Sequence, residues 1–175
     1  MPVAFACLAI SELLLVVSAG ALGYLRGAGS NDRHMLMGLM ALVLGCLIQI
    51  VVFTYLTVTG KMIVQAVHLG ELGLHPLMEA KRLKRRMTRL LALGILPVIF
   101  VAITAGVHWR TGAHGTWHSV AALVLLTVHA GVFFVQYNAI VANGLLLDQT
   151  LGAYTQKRRV IRDAANAGMA PSAEP

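Results

Sequence analysis

Four histidines, His34, His108, His114 and His118, stand at the margins of long apolar runs, and one carboxylate, Glu12, stands inside such a run. A neutral imidazole is the commonest metal ligand in proteins. Two imidazoles meeting from facing helices at one depth are what a six-coordinate b-type haem requires. His34 and His118 share a depth, because each opens its apolar run at the same end. His129 lies eleven positions beyond His118, and at about 100° per residue it falls on the same helical face. It is therefore a candidate ligand for a second, deeper haem. A sulfur-based alternative uses the run His34-Met35-Leu36-Met37, whose thioethers Met35 and Met37 lie beside an imidazole. Soft thioether and imidazole donors suit copper(I), with His108 and His118 completing the set. The plain alternative to both is packing: an imidazole tolerates a membrane interface, and methionine fills gaps in apolar helices. In that case no cofactor is bound.

Glu12 raises a different chemistry. A charged side chain at the centre of a membrane helix costs about 2.5–3.5 kcal/mol on insertion scales. At a rise of about 1.5 Å per residue, Glu12 lies about 13 Å from one edge of its apolar run, while His129 lies about 18 Å and Gln49 about 21 Å from the opposite edge of theirs. The three meet near the middle of a hydrocarbon layer about 30 Å thick. They also share faces with small residues. His118, Ala122, Leu125, His129 and Gln136 form one stripe, and His34, Gly38, Ala41, Gly45 and Gln49 form another. Glu12 aligns with Ala19 and Gly23. Small-xxx-small pairs let helices approach closely, so these stripes are expected to face each other as a buried polar network of Glu12, Gln49 and His129. Three roles are open to Glu12: a neutral carboxyl acting as packing glue, a group that handles a proton or orients a cofactor, or a contact to a partner subunit. The glycines of the His34 stripe also offer room for a flat macrocycle.

Composition says what must position these residues. The chain of 175 residues is 58% hydrophobic and 12% charged, with a mean hydropathy of +0.76. Soluble domains hold about 45–50% apolar and about 25% charged residues, so this chain has too few polar groups to coat a water-facing surface. The pattern predicts an all-α, four-helix transmembrane bundle over residues 1–163, with spans near 3–25, 35–60, 90–109 and 117–147. The first run lacks a basic n-region, is too long for an h-region and contains a carboxylate, so it reads as a span and not as a signal peptide. His75-Pro76 opens a basic amphipathic helix, 76–89, that leads into the third span, with proline at a first helical position. Pro97 is expected to bend that span. Residues 164–175, rich in Ala, Gly, Pro and Ser, are expected to form a disordered tail. Cys7 and Cys46 sit in apolar runs and make no metal or redox pattern.

Charge sets the expected orientation. Eleven of the fourteen Lys and Arg residues flank one side, in 61–89 and 157–162, and only Arg26, Arg33 and Arg110 flank the other. Positive-inside bias places the long loop and both ends of the chain in the cytoplasm, in a membrane of the bacterial inner (plasma) type. The partners of residues 76–89 are then anionic lipids or an acidic subunit face, with no nucleic acid. Phosphate loops, dinucleotide fingerprints, HExxH and GxSxG are all missing from the sequence, so no catalytic motif points to an enzyme. In topology alone the chain resembles small membrane-anchor cytochrome b subunits. The expectation is a small membrane subunit of a larger electron-transferring complex, respiratory or photosynthetic, with haem b between the second and fourth spans. A copper-handling or assembly factor, or a purely structural subunit among other membrane subunits, is the alternative.

Overall fold

A computed structural model of the chain describes residues 1–24, 31–111 and 116–168, and the side chains within them apart from those of residues 31–32 and 108–111. Four helices account for nearly all of it: α1 (Pro2–Tyr24), α2 (Asn31–Gly70), α3 (His75–Thr111) and α4 (Thr116–Gly168). Each is long and apolar enough to cross a membrane. The surface pattern reverses that of a soluble bundle. Ile10, Leu14, Leu36, Leu39, Val43, Ile50, Ile103, Leu123 and Phe134 are exposed, while Glu12, Gln49, His129, Gln136, Asn143 and Thr150 are buried. Large apolar patches on the outside mark a surface meant for lipid or protein.

The helices pack in the ring α1–α2–α3–α4, and α2 also meets α4 across the middle. Short connections make neighbours antiparallel, so one end of the bundle holds His34 and His118 and the other holds the cations of α3 and α4. These are called the histidine end and the basic end. Helices α1 and α3 stand on the remaining diagonal and do not approach each other among the described residues.

Two apolar clusters flank the polar centre. Toward the histidine end, Val16, Ala41, Val98, Val101, Ala121 and Leu125 pack together. Toward the basic end, Phe5, Ile48, Val52, Met87, Phe133 and Ile140 do so, with the Phe5 and Phe133 rings edge to face at 6.0 Å. Beyond the start of α1, the other three helices continue around Ile63, Val67, Ala80 and Leu146. The 23 residues of α1 rise about 34 Å, close to one bilayer, while the 53 of α4 rise about 80 Å. The bundle therefore extends well past the length of its shortest helix.

The turn between α2 and α3 has a specific stop signal. Leu72 N–H donates to the Val67 carbonyl and Glu71 N–H to the His68 carbonyl, the pair of bonds that defines a Schellman cap. Glu71 holds the left-handed position, with φ of 46°, and Leu72 packs back on the cluster that contains Val67. The helix α3 runs unbroken from His75 to Thr111 through Pro97, so the basic segment 76–89 leads directly into the third span. One sequence expectation changes here. The helix α4 continues to Gly168, so residues 164–168, expected in a disordered tail, are helical. Ala164 and Ala165 favour helix strongly enough to carry it on. Residues 169–175 lie outside the described chain.

Candidate functional site

His129 is the hub of the bundle. Its ring is fully buried, Nδ1 lies 2.8 Å from Glu12 Oε1 of α1, and Nε2 lies 2.8 Å from the Gly94 carbonyl oxygen of α3. One imidazole thus joins the two helices that do not otherwise meet. The local chain explains why this is feasible. Gly94 has no side chain, so Gln49 of α2 lies against it where a Cβ would stand 2.7 Å from Gln49 Nε2. Pro97 has no N–H, so the neighbouring Leu93 carbonyl lacks its usual helical donor. Gly45 of α2 closes the site from the fourth side, because a Cβ there would stand 3.3 Å from both Glu12 Oε1 and His129 Cε1.

Hydrogen-bond chemistry fixes the protonation pattern. A carbonyl oxygen only accepts, so Nε2 must carry a hydrogen and donate it to Gly94. The Nδ1···Oε1 contact then contains one proton. It resides on Glu12, giving a neutral acid and a neutral imidazole, or on His129, giving a carboxylate and an imidazolium. Either way the pair has no net charge. This is what allows two ionisable groups to remain buried together.

Below this pair, toward the basic end, polar contacts recur along one face of α4. Gln136 Nε2 donates to Gln49 Oε1 at 2.7 Å, and Asn143 Nδ2 donates to Thr59 Oγ1 at 2.7 Å. Thr150 Oγ1 donates to the Leu146 carbonyl at 2.7 Å. Residues 129, 136, 143 and 150 are seven apart, the spacing that keeps a seam facing its neighbours. Gly94 touches this second level too, since a Cβ on it would lie 2.7 Å from Gln49 Nε2. Glu12, Gly45, Gln49, Gly94, His129 and Gln136 therefore form one contact network drawn from all four helices.

The expected network of Glu12, Gln49 and His129 has this detail: Glu12 bonds His129, and Gln49 bonds Gln136. Two members were missing from the sequence reading. Gly94 is a backbone acceptor, which no side-chain pattern announces. Gln136 stood on the right stripe, but its partner depends on which helices face each other.

At the histidine end, the His34 and His118 rings lie edge to face with centroids 5.9 Å apart. His34 Nδ1 donates to the Ala19 carbonyl at 2.8 Å, and His118 Nδ1 lies 3.5 Å from Thr104 Oγ1. Met35 is exposed and Met37 half-buried. The His108 and His114 side chains lie outside the described residues. No cluster of three or more His, Cys, Asp or Glu suited to a metal occurs among the described residues.

The surroundings of His34 and His129 are closely packed in part. Of the stripe beneath His34, Ala41 is buried and Gly45 abuts the Glu12–His129 pair, while Gly38 has nothing within 4 Å of an added Cβ. Gly23 sits so close to His34 that a Cβ would come within 2.9 Å of its ring. His129 has both ring nitrogens engaged, so neither is available to an iron in this arrangement. Gly23 and Gly45 serve close helix contact. No known family, curated protein or solved structure matches this chain.

Proposed function

We propose that this chain is a small integral membrane subunit of a larger electron-transferring complex, and that it contributes a proton held within the bilayer between Glu12 and His129. The observation that carries the reading is the pair itself: one transferable proton, no net charge, closed from water and tied to both flanking helices. Ionisable residues inside membrane helices pair with one another and mark proton relays. A complex that moves electrons across a membrane needs such groups to balance charge. Outside the apolar spans the described chain offers only helix extensions, which suits a subunit. The apolar outer face, including the shallow groove lined by Leu42, Val43, Cys46, Leu47 and Ile50, is available to lipid or to neighbouring subunits.

The test is infrared spectroscopy of the purified full chain in D2O. The shared hydrogen is expected to exchange readily, seen as a deuterium shift of a carboxyl band lost in Glu12→Gln or, with the proton on the ring, of imidazolium bands lost in His129→Leu. A Glu12 band that stays protonated as long as the slowest core amides would make the residue a fixed packing element and remove the proton-holding role. Extraction from native membranes in mild detergent is expected to recover further membrane subunits. A lone monodisperse chain would overturn the subunit part.

Orientation follows from charge, with the basic end in the cytoplasm and its cations among anionic headgroups. The exposed Lys84 ammonium lies over the Phe53 ring, 5.8 Å from its centroid. Thr116→Cys is expected to react with an impermeant thiol reagent added outside intact cells, and Glu71→Cys only after the cells are opened. The reverse pattern would invert the protein.

The 5.9 Å approach of His34 and His118 favours a second reading, a metal-handling subunit with an ion at the histidine end. Two imidazoles sharing one ion need nitrogens about 4 Å apart, twice a metal–nitrogen bond of about 2 Å. Metal analysis and a visible spectrum of the purified chain decide it, because a colourless, metal-free protein leaves only ring packing.

A further inference from the structure

Three buried polar atoms of the network have no hydrogen-bond partner among the described residues: Glu12 Oε2, Gln49 Nε2 and Gln136 Oε1. Their side chains are at most 1% exposed. Leaving such groups unpaired is costly, and native proteins satisfy them with protein or with ordered water. The donor count is informative. Gln49 Nε2 is a donor, Gln136 Oε1 is an acceptor, and Glu12 Oε2 accepts from anything that donates. A water molecule accepts from the first and donates to the other two, which uses three of its four hydrogen-bonding positions.

The three residues belong to one contact network. Gly45 abuts Glu12, and Gln49 is the next residue on the same face of α2, one turn nearer the basic end. Gln49 in turn receives the Gln136 amide. Gln49 and Gln136 therefore lie on the side of the Glu12–His129 pair that faces the basic end. That side is also the nearer to water. Counted from the histidine-end margins of the apolar runs, Glu12, Gln49, Gly94 and His129 lie about 18–22 Å deep. In a hydrocarbon core of about 30 Å this leaves roughly 8–12 Å to the basic side. Arg89, five residues before Gly94 on α3 and exposed, is only about 7.5 Å away along the helix. Thr57 Oγ1, two turns past Gln49 toward the basic end, is a fourth buried atom without a partner, and the Asn143–Thr59 bond lies at the same level. Apolar clusters flank the pair on both sides, but among the described residues only the basic side also carries buried polar side chains, Gln49 with Gln136 and Thr59 with Asn143.

We propose that Glu12 Oε2, Gln49 Nε2 and Gln136 Oε1 hold a buried water, and that this water is the route by which the Glu12–His129 proton exchanges with the basic end of the bundle. The inference rests on the proton-holding reading and adds its ligand and its side of access. The step balances. A proton arriving through the water forms an O–H bond at Glu12 Oε2 as one O–H bond of hydronium breaks, leaving water. The pair becomes a carboxylic acid and an imidazolium with a net charge of +1, and the reverse step returns the proton to water. Both starting arrangements of the shared proton lead to this same product.

The experiment compares hydrogen exchange at the Glu12 carboxyl, followed by infrared spectroscopy in D2O, in the full-length wild type and in Gln49→Leu and Gln136→Leu. Gln136→Met, with an unbranched side chain of similar length, serves where leucine fails to fold, and helical circular dichroism establishes folding. Exchange is expected to slow by about tenfold or more in the variants, the size of effect that losing one buried hydrogen-bond partner produces. The sign is diagnostic, because a merely loosened core would speed exchange. Equal or faster exchange in folded variants overturns the water route and leaves the proton-holding reading standing. A wild-type carboxyl that does not exchange overturns both.

Discussion

Replacing His129 by leucine is expected to destabilise the bundle more than any other substitution of a buried polar residue. The change removes the bonds to Glu12 Oε1 and to the Gly94 carbonyl together. It leaves a carboxyl buried with no protein partner at either oxygen. Removing one member of a buried ion pair costs about 3–5 kcal/mol in soluble proteins. Neutral hydrogen bonds in membranes average about 0.6 kcal/mol, with a maximum near 1.7. Because the orphan left behind is ionisable, a loss of about 3 kcal/mol is expected. Glu12→Leu should cost less, about 1–3 kcal/mol, since it strands only the neutral Nδ1. Glu12→Gln should be nearly silent, because the new amide N–H donates to Nδ1 while Nε2 keeps its bond to Gly94. The double replacement of Glu12 and His129 by leucine should recover part of the loss, as apolar substitutes for a buried pair often do. Thermal melts in one detergent measure all four. If His129→Leu and Glu12→Gln melted together, Glu12 and His129 would not form an interdependent pair.

Gly94→Ala is expected to be harmful where the same substitution elsewhere in these helices helps. Glycine in a helix interior costs about 0.8–1 kcal/mol relative to alanine, so a glycine facing open space gains on substitution. Gly38 and Gly131 are such positions, with nothing within 4 Å of an added Cβ. At Gly94 the added carbon would stand 2.7 Å from Gln49 Nε2 and 3.0 Å from its Cδ. The Gln49 side chain cannot swing aside freely, being buried and bonded to Gln136. Overpacking costs about 1–3 kcal/mol, so the net effect at Gly94 should be a loss of about 1 kcal/mol, and a larger residue should lose more. In a Gln49→Ala background the clash disappears and the sign should reverse. A Gly94→Ala variant that gained stability as Gly131→Ala does would show that α3 and α2 are not in this close contact.

The two predictions differ in how far they were legible in the chain. Glu12 stands out in any reading, because an ionisable residue in an apolar run is costly wherever the run is placed. His129 follows from depth and helical angle, quantities set by the fixed rise and turn of an α-helix. Gly94 was not visible in this way. It is one glycine among seventeen, and its part in the site is played by a carbonyl oxygen that every residue possesses. Its importance depends on the α3 backbone lying against the His129 ring. The glycine stripe below His34 shows the converse difficulty. Small residues permit either a cofactor slot or close helix contact, and the side chains that arrive from other helices decide between them. Here Glu12 and His129 come against Gly45, while Gly38 faces open space.

By itself, the sequence determined that this chain forms four apolar helices, where they begin, and that their polar residues occur at matched depths on the faces with small residues. Those properties follow from hydropathy, turn residues and the geometry of one helix, and need no knowledge of neighbours. Only the tertiary structure decided who pairs with whom. It set α1 and α3 on opposite corners, bridged them with one imidazole, gave Gln49 to Gln136 and not to Glu12, and continued α2, α3 and α4 past the end of α1. The physical reason is that a buried polar atom takes whichever partner the packing brings within about 3 Å, and packing is a property of the assembled helices.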